Sequence, residues 1–113
     1  SVRRMRMKTV EAPFEMSNLF PKHTGLPFVV WISVRGGARH DIRVKVSRPA
    51  WPWRSPMATV AIRPRVRVVE GKLDADALSC LTAWIELNRA TLIAYWECEI
   101  DTQDALARLR KLA

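Results

Sequence analysis

The chain lacks long apolar runs and is short of acidic residues, and these absences already exclude several classes of protein. The longest stretch without a charged residue or histidine covers residues 24–34. Eleven residues are too few for a membrane-spanning helix, which needs about 20. The basic N-terminal residues are not followed by an apolar segment, so we expect no export signal. An apolar content of 49% and a charged content of 27% over 113 residues predict one folded domain, which we place in the cytoplasm.

Cysteine is also scarce, because only Cys80 and Cys98 are present. On one helix their spacing would place them about 27 Å apart, whereas a disulfide needs Cα atoms within about 7 Å. The sequence therefore predicts no intramolecular disulfide and two reduced, mostly buried thiols. The spacing of Cys and His matches no metal-binding motif, and the glycines form no phosphate-binding loop. We therefore expect no metal and no cofactor.

The deficit of acidic residues is confined to the first two thirds of the chain. Residues 1–72 contain 15 Lys and Arg against 4 Asp and Glu, a net charge of +11. Residues 73–113 contain 4 and 7, a net charge of −3, so that the whole chain carries +8. Residues 1–27 carry three prolines and no hydrophobic period. We therefore predict an N-terminal arm over these residues and a single domain over residues 28–113.

The middle of the chain predicts strands. Residues 28–34 form a β-branched apolar run that is typical of a buried strand, and residues 40–47 alternate strictly between apolar and polar side chains. Gly36 and Gly37 lie between them and favour a turn, so the two runs predict a β-hairpin. Residues 48–56 contain three prolines and are predicted to be a loop.

Residues 57–70 resume the alternation, but Pro64 interrupts it with a residue that has no backbone N–H. Either one edge strand bends at this proline, or two short strands meet there at a kink. Gly71 and Lys72 then end the predicted sheet.

The last third of the chain has a helical period. Asp74 is a good N-cap for a helix over residues 75–98. A short last helix is predicted over residues 103–112, capped by Asp101 or Thr102. Strands followed by helices predict an α+β fold. Its small antiparallel sheet, made of the hairpin and one or two further strands, would pack against the long C-terminal helix and the short last helix.

The alternating segments place basic residues on one side of the sheet. If both segments join the same sheet, five cations share its solvent-facing side: Arg43, Lys45, Arg63, Arg65 and Arg67. Such a surface can follow the phosphates of RNA or DNA, and Trp51 and Trp53 in the neighbouring loop could stack on unpaired bases. The alternative is a solvated face, neutralised by nearby carboxylates or by a partner, with the tryptophans covering the edge of the core.

His40 is the one weak candidate for catalysis. It follows the glycine turn, and with Arg39 or Arg43 it could act on a phosphodiester without a metal. Adjacent strand residues point to opposite faces, so Asp41 is poorly placed to orient His40. No nucleophile or second histidine stands at a recognisable spacing. A hydrogen-bonded structural histidine is therefore the alternative, and we do not expect an enzyme.

The surface of the long helix favours a partner. Trp84, Leu87 and Ile93 lie outside the centre of its apolar stripe, and Asn88 lies inside it. A helix with apolar residues at these positions is covered on more than one side. We therefore keep a homodimer, or a structural subunit that binds a partner protein, as the alternative to nucleic-acid binding.

Three motifs stand out within residues 66–101. They are Val-Glu-Gly at residues 69–71, Trp-Ile-Glu-Leu-Asn-Arg at residues 84–89 and Tyr-Trp-Glu at residues 95–97. This segment resembles the C-terminal half of a small bacterial domain-of-unknown-function family. The resemblance implies a short, cytoplasmic strand-then-helix domain with a proline-flanked histidine pair, of which His40 matches one member and Ile42 replaces the other. It also implies a partner in a toxin–antitoxin-like or mobile-element gene pair, which would suit a basic module facing nucleic acid.

Overall fold

The computed structural model describes residues 16–48 and 57–112, which form an α+β fold. Five antiparallel strands follow one another as a meander, so that strands adjacent in sequence are paired in space. The strands are Met16–Leu19 (β1), Val29–Ser33 (β2), Arg43–Ser47 (β3), Ala58–Ala61 (β4) and Arg67–Gly71 (β5). The helices are Pro21–Thr24 (α1), Ala75–Trp96 (α2) and Thr102–Arg108 (α3). The predicted fold class is confirmed.

The predicted hairpin is formed by β2 and β3. Val30 lies opposite Val46, and Trp31 lies opposite Lys45. The strict alternation of β3 divides its side chains between the two faces of the sheet, and Val44 and Val46 are buried on one of them. That face packs in one apolar cluster with the buried residues of α2, so the helix covers one side of the sheet.

Residues 16–27, which the sequence placed in an arm, belong to the domain. β1 pairs with β2 along all four of its residues. Leu19 and Leu26 are buried in the core cluster. A four-residue strand with Ser and Asn at its centre is too short to show a hydrophobic period, and only its pairing with β2 identifies it. The predicted boundary at residue 28 therefore lies too late in the chain.

Residues 57–70 form two strands rather than one bent strand. β4 ends at Ala61 and β5 begins at Arg67, and the turn between them contains the cis peptide bond that precedes Pro64. A register shift follows, because Thr59 pairs with Glu70 while Val60 pairs with Val68. The second of the two predicted arrangements, two short strands, is the one observed.

Helix α2 begins where the sequence predicts. The side chain of Asp74 accepts a hydrogen bond from the backbone N–H of Ala77 at 2.7 Å, which satisfies one of the free donors of the first turn. The helix continues through Asn88 and ends at Trp96, two residues before the predicted end. Its buried residues are Leu81, Trp84, Ile85, Asn88, Leu92, Tyr95 and Trp96.

Helix α3 is capped by Asp101, one of the two predicted caps. The Asp101 carboxylate accepts from the Asp104 N–H at 2.8 Å, and the Asp104 carboxylate accepts from the Asp101 N–H at 3.4 Å. The helix ends at Arg108, and residues 109–112, which we call the C-terminal strap, lie against α1. The Leu112 N–H donates to the carbonyl oxygen of Thr24 at 2.8 Å.

Cys80 and Cys98 are both free, and both are exposed. The prediction of buried thiols is therefore wrong, while the prediction that the two form no disulfide is confirmed. Cys80 lies on the side of α2 that faces away from the core. Cys98 follows the end of the helix in a left-handed conformation, with φ at 63°.

Candidate nucleic-acid interface

The face of the sheet that points away from α2 carries basic residues and one tryptophan. Trp31, Lys45 and Thr59 lie opposite one another on β2, β3 and β4. In the next row of side chains on this face, Ala61 of β4 lies between Arg43 of β3 and Arg67 of β5. We call Trp31, Arg43, Lys45 and Arg67 the basic face.

A cleft opens at one end of this face. Arg43 and Lys45 line it together with Arg35 and His40 from the loop between β2 and β3. Its volume is about 200 Å³, and its other polar groups are the hydroxyls of Ser33 and Thr59 and one carboxylate, that of Glu70. Arg35 is paired with Glu97 at 3.6 Å, which leaves Arg43 and Lys45 against one carboxylate, so this cleft favours anions.

The opposite end of the same face is closed. Val29 and Ser47 lie opposite each other there, and they are 0% and 1% exposed. Thr59, in the middle of the face, is 2% exposed. A ligand can therefore reach the sheet at the Arg43 end rather than along its whole surface.

Four of the five predicted cations have no carboxylate partner in residues 16–48 and 57–112. They are Arg43, Lys45, Arg65 and Arg67. Arg65 lies in the exposed turn between β4 and β5, whereas the other three lie on the sheet. Cations without a carboxylate partner keep their donors available for phosphate oxygens.

Arg63, the fifth predicted cation, is held elsewhere. Its Nε and Nη2 atoms donate to the two carboxylate oxygens of Asp41 at 2.8 and 2.9 Å, and Nη2 also donates to Glu97 at 3.2 Å. The Arg63 guanidinium lowers the pKa of the Asp41 carboxyl, and the two carboxylates raise the pKa of Arg63. Arg63 lies in the β4–β5 turn, so the expected continuation of the sheet face through this residue does not exist.

Trp31 is an aromatic residue of this face that sequence reasoning missed. It is half-buried, and its indole N–H donates to the hydroxyl of Ser47 at 2.7 Å, which fixes the ring on the sheet. The run over residues 28–34 looks uniformly apolar, and this hides the fact that Trp31 alternates with the buried Val30 and Ile32. The sequence does carry a signal for this, because a residue between Val30 and Ile32 on a strand points to the opposite face from both of them. Trp51 and Trp53 lie outside the described residues.

His40 stacks on Trp96, with ring centroids 5.7 Å apart and an interplanar angle of 30°. Its Nδ1 lies 2.8 Å from the backbone carbonyl oxygen of Asp41. Because a carbonyl oxygen only accepts, Nδ1 carries the proton and Nε2 is left as the basic ring atom in the neutral form. The Asp41 carboxylate is bound to Arg63, and so it does not orient His40. The phosphodiesterase hypothesis stays a prediction, and activity that survives in a His40→Ala variant would rule out this residue.

The described ranges contain no group of three His, Cys, Asp or Glu side chains placed to hold a metal ion. None of the three helices in that part of the chain combines the length and apolar character needed to cross a membrane. A comparison with protein families, with curated proteins and with solved structures finds no match to this chain.

Proposed function

We propose that this protein is a non-enzymatic module that binds single-stranded RNA or DNA through its basic face. The observation that carries this proposal is Trp31, half-buried and directly opposite Lys45 on the basic face, whose Arg43 end opens into the cleft. An aromatic ring beside cations that lack carboxylate partners can stack on an unpaired base while the cations bind the flanking phosphates.

These side chains would each make a different contact with the nucleic acid, because their chemistry differs. The guanidinium of Arg43 can donate two parallel hydrogen bonds to one phosphate, whereas Lys45 acts as a point charge. The indole of Trp31 offers a flat surface that accepts any base, so we expect little sequence preference.

Fluorescence titration with single- and double-stranded oligonucleotides at two salt concentrations tests the proposal. The three cations of the basic face, together with Arg65 in the β4–β5 turn, predict a log–log salt slope of about −2.8 on a single strand, or about 50-fold weaker binding at 200 than at 50 mM salt. Single strands should bind more tightly than duplexes of the same length, because only unpaired bases can stack on Trp31. A salt-independent affinity, or no binding at low salt, would contradict the proposal.

Matched variants separate the basic face from net charge. Arg43→Gln with Lys45→Gln should reduce the salt slope to about −1.4, because two phosphate contacts are lost. Arg108→Gln with Arg110→Gln removes the same charge from the exposed C-terminal end of the chain and should leave the slope nearly unchanged. Trp31→Ala should weaken single-strand binding about tenfold or more through lost stacking, while Trp31→Phe should retain most of it. Equal losses in the two double variants would assign the binding to net charge alone.

The alternative, a homodimer or a structural subunit of a larger complex, is favoured by a separate observation. Leu87 on α2 and Leu106 on α3 are 44% and 48% exposed, and they are apolar surface that such an interface would cover. Trp84, by contrast, is fully buried within the domain, so it does not support a partner.

A further inference from the structure

A groove on the helical side of the molecule has the features of a ligand site. It lies between β1, α1, α3 and the C-terminal strap, and its apolar lining includes Leu19, Trp84, Leu106 and Leu109. Its volume of about 390 Å³ falls in the range of small-molecule sites, about 300–1,000 Å³. No residue of the basic face lines this groove, so the inference does not depend on nucleic-acid binding.

The charged residues of the groove all have the same sign. Lys22 comes from the last turn of α1, and Lys111 comes from the C-terminal strap. None of the described residues that line the groove is an aspartate or a glutamate, and neither lysine forms an ion pair with a described carboxylate. The groove therefore favours an anion.

The indole of Trp84 adds an independent sign of a ligand. The side chain is 1% exposed, and its Nε1–H is the one buried side-chain polar group in the described part of the chain that has no hydrogen-bond partner. A buried donor that is left unpaired costs stability, and each such group in a native protein calls for a physical reason. Trp84 is one of the residues that line the groove, and an acceptor oxygen that a bound ligand brought to this N–H would supply the missing partner.

Leu106 adds exposed apolar surface to the groove. It is 48% exposed at the edge of the groove, although Leu109 and Leu19 beside it are partly or fully buried. An apolar body lying against Leu106 and Leu109 would remove this surface from water.

We propose that this groove binds a small amphipathic carboxylate. A carboxylate oxygen accepts a hydrogen bond from Nε1 of Trp84, while Lys22 and Lys111 balance the negative charge. The apolar body of the ligand covers Leu106 and Leu109. A carboxylate fits better than a neutral polar group, because it has acceptor capacity for the indole and for two ammonium groups at once.

Nuclear magnetic resonance of the full chain tests this with octanoate as the probe. The five tryptophans give five indole N–H signals, and the signal of Trp84 is assigned by its loss in a Trp84→Phe variant. We expect octanoate to move this signal downfield in a saturable way, because the N–H gains an acceptor. Octanol, which has the apolar body without the charge, and acetate, which has the charge without the body, should each bind at least about tenfold more weakly.

Lysine variants provide the matched control. Lys22→Gln with Lys111→Gln should weaken octanoate binding about fivefold, because two partly screened charge interactions are lost. Lys72→Gln removes an exposed charge outside the groove and should change nothing. An unchanged Trp84 signal at saturating octanoate, an equal response to octanol, or a response confined to the other tryptophans would each overturn the proposal.

Discussion

At the scale of single residues, one cluster of charges joins parts of the chain that are distant in sequence. Arg63 in the β4–β5 turn binds Asp41 just before β3 and Glu97 at the end of α2. Glu97 in turn lies 3.6 Å from a guanidinium nitrogen of Arg35, which lines the cleft of the basic face. Because the Asp41 and Arg63 side chains are 52% and 32% exposed, solvent screens the pairs, and the cluster stabilises the fold only modestly.

The depressed pKa of Asp41 gives this cluster a defined pH dependence. Because Arg63 holds the folded pKa below the unfolded value of about 3.9, the stabilisation is fully present above that value. It is lost as the pH falls through the folded pKa. Asp41→Asn should therefore lower the free energy of unfolding by about 0.5–1 kcal/mol at pH 7, and the difference from the wild type should shrink below about pH 4.

Urea denaturation at a series of pH values measures this difference. Glu99→Gln is the control, because Glu99 is an exposed carboxylate without an ion pair in the described part of the chain. A gap between wild type and Asp41→Asn that grows on acidification would contradict the assignment of the shift to Arg63.

Asn88 is a buried polar residue whose purpose the sequence does not show. It is 3% exposed, and its amide nitrogen donates to the carbonyl oxygens of Trp84 and Arg110, both at 3.0 Å. Its side-chain oxygen accepts from the backbone N–H of Arg110 at 2.6 Å. A position that interrupts the apolar stripe of α2 is therefore the anchor of the C-terminal strap.

Replacing this anchor should destabilise the strap and the fold together. We expect Asn88→Ala to lower the free energy of unfolding by about 1–3 kcal/mol, because the backbone groups of Arg110 lose their partners. Hydrogen exchange should show that the Arg110 amide loses its protection. Amides in β3 should lose no more protection than the fall in global stability accounts for. Glu86→Ala, at an exposed position of the same helix, is the control and should cost less than about 0.5 kcal/mol. Full protection of the Arg110 amide in Asn88→Ala would show that the strap has another anchor.

At the scale of elements, the end of β5 depends on a glycine. Gly71 has φ at 76°, and a Cβ at this position would overlap the carbonyl oxygen of Met57. Gly71→Ala should therefore cost about 1–2 kcal/mol or more, from the left-handed backbone and from the displacement of β4. Gly37→Ala is the matched control, because a Cβ there meets no atom within 4 Å. Thermal unfolding of both variants checks this, and equal melting temperatures would contradict the argument.

The elements that the sequence predicted well are those with local signals. The β2–β3 hairpin, the Asp74 cap and the period of α2 each depend on residues close together in the chain. β1 and the register shift between β4 and β5 have no such signal, because pairing with a neighbouring strand decides them. For the same reason the sequence predicted Arg43, Lys45 and Arg67 on one face but could not foresee that Asp41 binds Arg63.

At the scale of the whole molecule, the charge asymmetry of the sequence becomes an asymmetry in space. The strand region holds Arg43, Lys45 and Arg67 on the side of the sheet away from α2. Exposed acidic residues follow α2 and α3 on the other side, among them Asp76, Glu86, Glu99 and Asp104. A molecule charged in this way is oriented by a polyanion before contact, which raises the rate of association at low salt.

The homodimer alternative also belongs to this scale, and it makes a separate prediction. If the exposed apolar residues of the helical side form an interface, sedimentation equilibrium should give twice the chain mass, and Leu87→Lys should return the protein to a monomer. Ala83→Lys is a second test of where the interface lies, because Ala83 is exposed and apolar on the same helix. Thr82→Lys is a poorer test, because the Thr82 side chain is partly buried. A monomer at all concentrations would remove this alternative and leave Leu87 as an ordinary surface leucine.

The sequence by itself determined the α+β class, the order of hairpin and helices, the Asp74 cap of α2 and the confinement of basic residues to the strand region. These properties follow from periodicity, capping and composition, which act over a few neighbouring residues. Only the tertiary structure decided that residues 16–27 join the domain, that Arg63 binds Asp41 and Glu97, and that Trp31 lies beside Lys45. It also brought Lys22, Trp84 and Lys111 to one groove. Such contacts join residues far apart in the chain, and their energies depend on distances that exist only after the strands and helices have packed.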